Sequence, residues 1–284
     1  MSILSIQSHV AYGYVGNKAA VFPLELLGFD VWAINTVQFS NHPGYGAWKG
    51  EIFSDRQVEL VWSGIVDRGV ASSCEAVLSG YLGDASIGQA VLAAVEDVKA
   101  AAPGALYCCD PVMGDYGSGL FVREGIPDFM RNQALPRADV ITPNQFEAEL
   151  LSDRVIESVE DAREAARFLR SLGPRVVLIK SFKPAGAEAG SISLFLSSEE
   201  GDFVVTTPEL SFDIAPHGAG DLSSALFLGH LIREKSAARA LELTADSVFA
   251  VLERSKADGS RELRLIQSQA EIARPGDRFK ARRV

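Results

Sequence analysis

The stretch Ser2–Phe39, SILSIQSHVAYGYVGNKAAVFPLELLGFDVWAINTVQF, decides the fold class. Its first seven residues are apolar and small in the manner of a buried strand, and they end in the glycine-bearing turn HVAYGYVG. NKAAVFPLELLG then carries the apolar spacing of a helix stopped by Gly28. DVWAINTVQF, rich in β-branched and aromatic residues, reads as the next strand.

The same alternation continues along the chain. RQVELVWSGIVDRG reads as a helix, EAVLSGYL as a strand and SIGQAVLAAVEDVKAA as a helix. ALYCCDPVM is a strand running into GDYGSG, and ADVITPN is a strand before the acidic helix QFEAELL. SVEDAREAARFLRSLG is a helix capped by Ser158, followed by the strand RVVLIKS. SISLFLS and DFVVTTP, joined by SEEGD, predict an antiparallel pair. Strands alternating with helices imply a three-layer α/β/α architecture with a mostly parallel central sheet. No linker, repeat or low-complexity segment interrupts it, so residues 1–284 are expected to form a single domain.

Composition narrows the partners. A net charge of −10 argues against a general nucleic-acid or anionic-membrane surface, which needs clustered Lys and Arg. The one basic cluster, RFKARRV at the C-terminus, is expected to be a solvated end. Cys74, Cys108 and Cys109 show neither a disulfide framework nor zinc-ligand spacing, and free thiols in a reducing cytoplasm are expected. The N-terminal MSILSIQSHV lacks the form of a signal peptide, and no apolar run is long enough to span a bilayer.

In open α/β sheets ligands bind beyond the carboxyl ends of the strands. Polar residues collect at those predicted ends: Ser8 and His9, Gly80 and Tyr81, Asp110, Thr142 with Glu147 one turn later, and Lys180 with Ser181. Asp110 and Glu147 are hard oxygen donors of the kind Mg²⁺ prefers. Lys180, following the apolar VVLI, needs a partner if buried, and a nucleotide phosphate would supply one. Asp115 in GDY reads as a loop residue.

One more stretch, APHGAGDLSSALFLGH at 215–230, places Gly218, Ala219 and Gly220 directly before Asp221 and a helical pattern. By itself this reads as a glycine turn with Asp as helix cap. Beside the other strand ends it reads as a phosphoryl-transfer site. The bare amides of 218–220 at the positive end of a helix would hold developing negative charge, and Asp221 would accept the proton of an attacking hydroxyl.

These residues carry a resemblance. SHVAYGYVGNKAA, NTVQFSNHPGYGAWKG, VLSGYLG, CDPVMGD, ITPNQFEAELL and the GAGD loop, in order over almost the whole chain, resemble the pyridoxal kinases of the ribokinase-like superfamily. The resemblance implies ATP-dependent phosphorylation of the 5′-hydroxymethyl group of pyridoxal to pyridoxal 5′-phosphate. It implies Asp221 as base, Gly218, Ala219 and Gly220 as anion hole, and Ser8, Phe39, Pro43, Gly44 and Tyr81 around the substrate. It further implies Asp110, Thr142, Glu147 and Lys180 at the ATP and metal positions, with Thr206, Thr207, Pro208 and Glu209 covering the nucleotide. Mg²⁺, a potassium-like ion, a homodimer and a cytoplasmic location complete what it implies.

The sequence departs from the family pattern twice. Pro43 stands where Thr is common, removing a hydroxyl and a backbone donor, and His217 with Ala219 alters the usual loop; His217 reads as a solvated loop residue. The alternatives are a hydroxymethylpyrimidine or other small-alcohol kinase, and a non-catalytic vitamer or nucleotide binder. Retention of Asp221 argues against the last.

Overall fold

A computed structural model describes residues 1–284. In chain order the elements are β1 (Ser2–Val10), α1 (Asn17–Leu26), β2 (Asp30–Phe39), β3 (Gly50–Ile52), α2 (Asp55–Val66), β4 (Cys74–Ser79), α3 (Ala85–Ala101), β5 (Leu106–Cys109), the ribbon β6 (Gly114–Asp115) and β7 (Gly119–Leu120), and α4 (Ile126–Phe129). They continue with β8 (Val140–Ile141), α5 (Gln145–Ser152), α6 (Val159–Ser171), β9 (Val176–Phe182), β10 (Ser191–Ser198), β11 (Gly201–Pro208), α7 (Ala219–Glu234), α8 (Ala237–Ala257), α9 (Gln269–Ala273) and β12 (Arg282–Arg283).

Ten strands form one sheet in the order β12-β11-β10-β9-β8-β5-β4-β1-β2-β3. The six central strands, from β9 to β2, run parallel, and the outer strands on both sides pair antiparallel. Both faces are covered, as a parallel sheet requires. Helices α2 to α6 pack one apolar core against the sheet, and α1, α7, α8 and α9 pack a second on the other face. The architecture is three-layer α/β/α.

The chain enters at β1 in the middle, moves outward to β2 and β3, then returns to β4 on the far side of β1. The order of strands therefore reverses between β1 and β4, and the two crossovers leave a crevice at their carboxyl ends. A bulge sharpens this place: between Gln7 and His9 the register of β1 against β2 advances from Asn35 to Gln38. Bulges re-aim side chains next to active sites, and this one sits beside Ser8. Asn17, the first residue of α1, is buried and ties the region together. It accepts from Ser5 Oγ at 2.7 Å and donates to Ile34 O at 3.0 Å and Asn35 Oδ1 at 2.8 Å.

The three cysteines are buried free thiols. No helix is long and apolar enough to cross a membrane. The basic C-terminus, read from sequence as a solvated end, keeps its charged side chains exposed, and it is also docked along the sheet and α8. Arg282 and Arg283 pair with Val204 and Phe203 as an edge strand, and the Arg278 guanidinium bonds Glu253 at 2.9 Å and lies 4.7 Å over the Phe249 ring. The physical reason is that α8 offers carboxylates, Glu242, Asp246 and Glu253, to this segment; a charge count along the tail alone does not show them.

Candidate active site

A cavity of 640 Å³ opens at the carboxyl ends of the parallel strands. Ser8, Phe39, Pro43, Gly44, Tyr81, Asp110, Glu147, Lys180, Thr207, Pro208, Glu209, Gly218, Ala219, Gly220 and Asp221 all line it. Residues from opposite ends of the chain thus meet in one space, as the rim of strand tips predicts.

Two of the expected residues stand apart from the wall. Thr142 is fully buried behind it, its hydroxyl 2.8 Å from Ser224 Oγ. Thr206 does not line the cavity, and its hydroxyl pairs with Ser193 at 2.8 Å. Side chains of β11 alternate between faces, which sets Thr206 opposite Thr207, whereas Pro208 and Glu209, at and beyond the end of the strand, both line the cavity.

The helix start differs from the capping reading. The cap of α7 is Gly218, at φ 91°, and Asp221 is the third residue of the first turn. A side chain at Gly218 would place its Cβ 1.8 Å from the carbonyl oxygen of Tyr14, so close approach of the two loops and the left-handed backbone both require glycine. Gly218→Ala is expected to lower stability by about 2–3 kcal/mol through strain and clash, read as a fall in the urea midpoint at unchanged slope. First-turn amides have no partner inside a helix, and those of α7 face the cavity with the dipole behind them.

Asp221 is half-buried at the cavity, near the backbone amides of Gly16 and of its own residue. Burial, and then the charge of Asp110, push its carboxyl up to about 6, while those amides and Lys180 pull it down. It is therefore a stronger proton acceptor than a free carboxylate and still ionised at neutral pH.

Behind it lies a closed polar network. Lys180 Nζ donates to Asp110 Oδ1 at 2.8 Å and Oδ2 at 2.9 Å, to Ser224 Oγ at 2.9 Å and to Gly220 O at 3.3 Å. The partner that the buried lysine needs is thus Asp110 and the α7 backbone, before any phosphate arrives. Burial works against the ammonium, but Asp110 and Glu147 outweigh it and hold the Lys180 pKa above its usual value.

Glu147 closes a capping box with Asn144, accepting its N–H at 2.8 Å, and also accepts from Met113 N at 2.9 Å. Burial and then Asp110 push its carboxyl up to about 8. Asp110 and Glu147 are thus two hard-oxygen carboxylates within electrostatic reach on the cavity wall, the charge of Asp110 disfavouring that of Glu147. That is a donor set suited to a divalent cation, whose charge would relieve the repulsion.

Sequence reading missed two parts of the site. At one end, Ala245, Val248, Phe249 and Leu252 of α8 form an apolar wall together with Leu194 and Phe212. Their spacing at i, i+3, i+4 and i+7 is a helical stripe that would have revealed a buried face, though not that a cavity lies against it. At the other end, the loop 40–49 is tied down by distant residues. Arg261 Nη2 donates to Gly44 O at 2.9 Å and its guanidinium lies 3.7 Å over the Tyr45 ring. Tyr45 OH donates to Glu262 Oε1, and Glu262 Oε2 accepts from Tyr14 N at 3.1 Å. His217, expected to be solvated, is half-buried and stacked on His42 with ring centres 3.8 Å apart. Asp115, read as a loop residue, lines the cavity and accepts from Ser118 N at 2.6 Å.

Comparison with known proteins agrees with this geometry. A family model for phosphomethylpyrimidine kinase matches residues 59–262. Pyridoxal kinase PdxY of Rubrobacter xylanophilus is 52% identical over 100% of this chain and 98% of its own length. That of Deinococcus radiodurans is 47% identical over 100% and 96%. Among solved structures, pyridoxal kinase from Leishmania donovani in complex with ADP and pyridoxamine superposes with a TM-score of 0.92 at 31% identity, covering 100% of this chain and 99% of that one. With relatives this similar along its entire length, and with Asp221, the first-turn amides and the paired carboxylates gathered on one cavity, the chain belongs to the pyridoxal kinase family of the ribokinase-like superfamily.

Proposed function

We propose that this protein transfers the γ-phosphoryl group of ATP to the 5′-hydroxymethyl oxygen of pyridoxal, giving pyridoxal 5′-phosphate and ADP, the salvage step for vitamin B6. The observation that carries the reading is Asp221 in the first turn of α7, lining one cavity together with the aromatic residues Phe39 and Tyr81 and the apolar wall of α8. The pyridine ring is assigned to the end with Ser8, Phe39 and Tyr81, where π-faces and a hydroxyl suit a flat polar heterocycle. The adenine is assigned to the α8 wall, with Thr207, Pro208 and Glu209 beside it.

Asp221 takes the hydroxyl proton as the oxygen attacks the γ-phosphorus and the bond to the ADP oxygen breaks. The amides of Gly218, Ala219 and Gly220 stabilise charge on the transferred group. Lys180 orients Asp110 by bonding both its oxygens, and Thr142 supports Ser224 from behind. Thr206, on the far side of β11 from Thr207, is left a structural part in this scheme. Asp110 and Glu147 would hold Mg²⁺, which when bound neutralises phosphate charge.

A single domain over 1–284, use of a potassium-like ion, a homodimer and a cytoplasmic location belong to the same proposal. The last accords with three unpaired buried thiols.

The test is to mix the purified protein with MgATP and pyridoxal, pyridoxine, pyridoxamine or hydroxymethylpyrimidine in turn, and to follow ADP and the phosphorylated product. Turnover of a B6 vitamer is expected. Turnover of the pyrimidine alone, or of nothing, would overturn the reading. Glu147→Gln keeps the shape of the capping box and is expected to raise the Mg²⁺ concentration for half-maximal rate by roughly tenfold. An unchanged Mg²⁺ titration would remove Glu147 from the metal site.

A further inference from the structure

The two departures from the family pattern, at Pro43 and at His217, meet in space. His217 is the residue before the Gly218 cap of α7, and its ring lies on that of His42, the residue before Pro43, with centres 3.8 Å apart and planes 27° from parallel. The stack exists because position 44 has no side chain. A Cβ on Gly44 would lie 2.5 Å from His217 Nε2 and 2.9 Å from His42 Nδ1. The loop is fixed from outside by Arg261 on Gly44 O and by Tyr45 on Glu262, so the rings are not free to drift together and apart.

The hydrogen-bonding capacity of this corner is unevenly distributed. Pro43 has no N–H and no polar side chain. His42 Nδ1 accepts from Gly44 N at 3.1 Å and is thereby committed. His217 lines the cavity and makes no hydrogen bond to the protein. Burial and then Arg261 hold its pKa below the usual histidine value, so at neutral pH its ring carries one donor and one acceptor nitrogen.

We propose that His217 is a specificity-determining residue that contacts the alcohol substrate: stacked on His42, it offers a ring substituent of that substrate the hydrogen bond that Pro43 cannot make. Gly44 is the positioning partner, because its bare Cα leaves the space in which the imidazole stands. The proposal rests on assigning this end of the cavity to the vitamer. A neutral imidazole can donate to a carbonyl or hydroxyl or accept from an amine, so removing it should change the ranking of vitamers that differ in one ring substituent.

The experiment compares whole protein, His217→Val, His217→Gln, Gly44→Ala and the Gly44→Ala/His217→Val pair. KM and kcat are measured for pyridoxal, pyridoxine, pyridoxamine and ATP, with a thermal melt for each variant. His217→Val is expected to raise KM for at least one vitamer by about fivefold to tenfold, the worth of one neutral hydrogen bond, and to change the ratio of kcat/KM between vitamers. KM for ATP should stay within about twofold, and His217→Gln, which keeps a donor and an acceptor, should recover part of the loss. Gly44→Ala should reproduce the phenotype by displacing the ring, and the double variant should be no worse than His217→Val. Unchanged vitamer ratios in His217→Val, an equal rise in KM for ATP, or losses that simply multiply in the pair would each overturn the proposal. Failure of the wild-type protein to phosphorylate any vitamer is a different result, which overturns the functional reading itself.

Discussion

Asp221→Asn should bind ATP and pyridoxal within about threefold of the wild type and turn over slower by a factor of about 10²–10⁴, the usual worth of a positioned general base. Asparagine keeps the shape, but it cannot take a proton. The pH profile supplies an independent check. Burial and Asp110 push the Asp221 carboxyl up to about 6, so below that pH it is protonated and idle. The wild-type kcat should therefore rise with pH through about 6 and level off above it, and the variant should lack this limb. Titration calorimetry for binding and kcat between pH 5 and 8 decide the matter. Near-normal turnover in the variant would move the base elsewhere.

Lys180→Met should unfold the protein more easily as well as inactivate it. Lys180 and Asp110 are 5% and 1% exposed, and the lysine bonds both oxygens of the aspartate. Removing the cation strands Asp110 and Glu147 as buried acids without compensation, and breaking one half of a buried pair costs about 3–5 kcal/mol. At roughly 2–4 °C per kcal/mol for a chain of this size class, the melting temperature should fall by about 10 °C. Asp110→Asn combined with Lys180→Met should regain part of that loss, because the stranded charge is gone. Calorimetric melts of the two variants test this, and a single variant as stable as the wild type would show that Lys180 is not what holds Asp110. Activity should be absent in both.

How much of this was legible in sequence follows from the range of each interaction. Strand and helix identity depends on neighbours a few residues apart, and DVWAINTVQF indeed forms β2 at those boundaries. The rim residues were also legible, because the carboxyl ends of parallel strands must share one edge. What was not legible depended on the partner's position in space. Thr206 and Thr207 look alike in a list, but the pleat sends one to the cavity and the other to Ser193. Lys180 needed a counter-charge on any reading, but that Asp110 meets it from another strand is a fact of sheet order. The docking of RFKARRV waited on carboxylates of α8 that only packing brings alongside.

The latch between Tyr14 and Glu262 spans 248 positions of the chain, and Gly44 with Arg261 spans 217. Such pairings have to wait for the segments between them to collapse, and contacts of this range are the slow ones in folding. The individual strands and helices can form early from local signals, whereas the end of the cavity beside the 40–49 loop has no existence in any fragment. A refolding chain should therefore regain its helical signal before its capacity to bind a vitamer, and a nick anywhere between the two halves of the latch turns an intramolecular closure into an association. Catalytic competence in this fold is the last thing the polypeptide acquires.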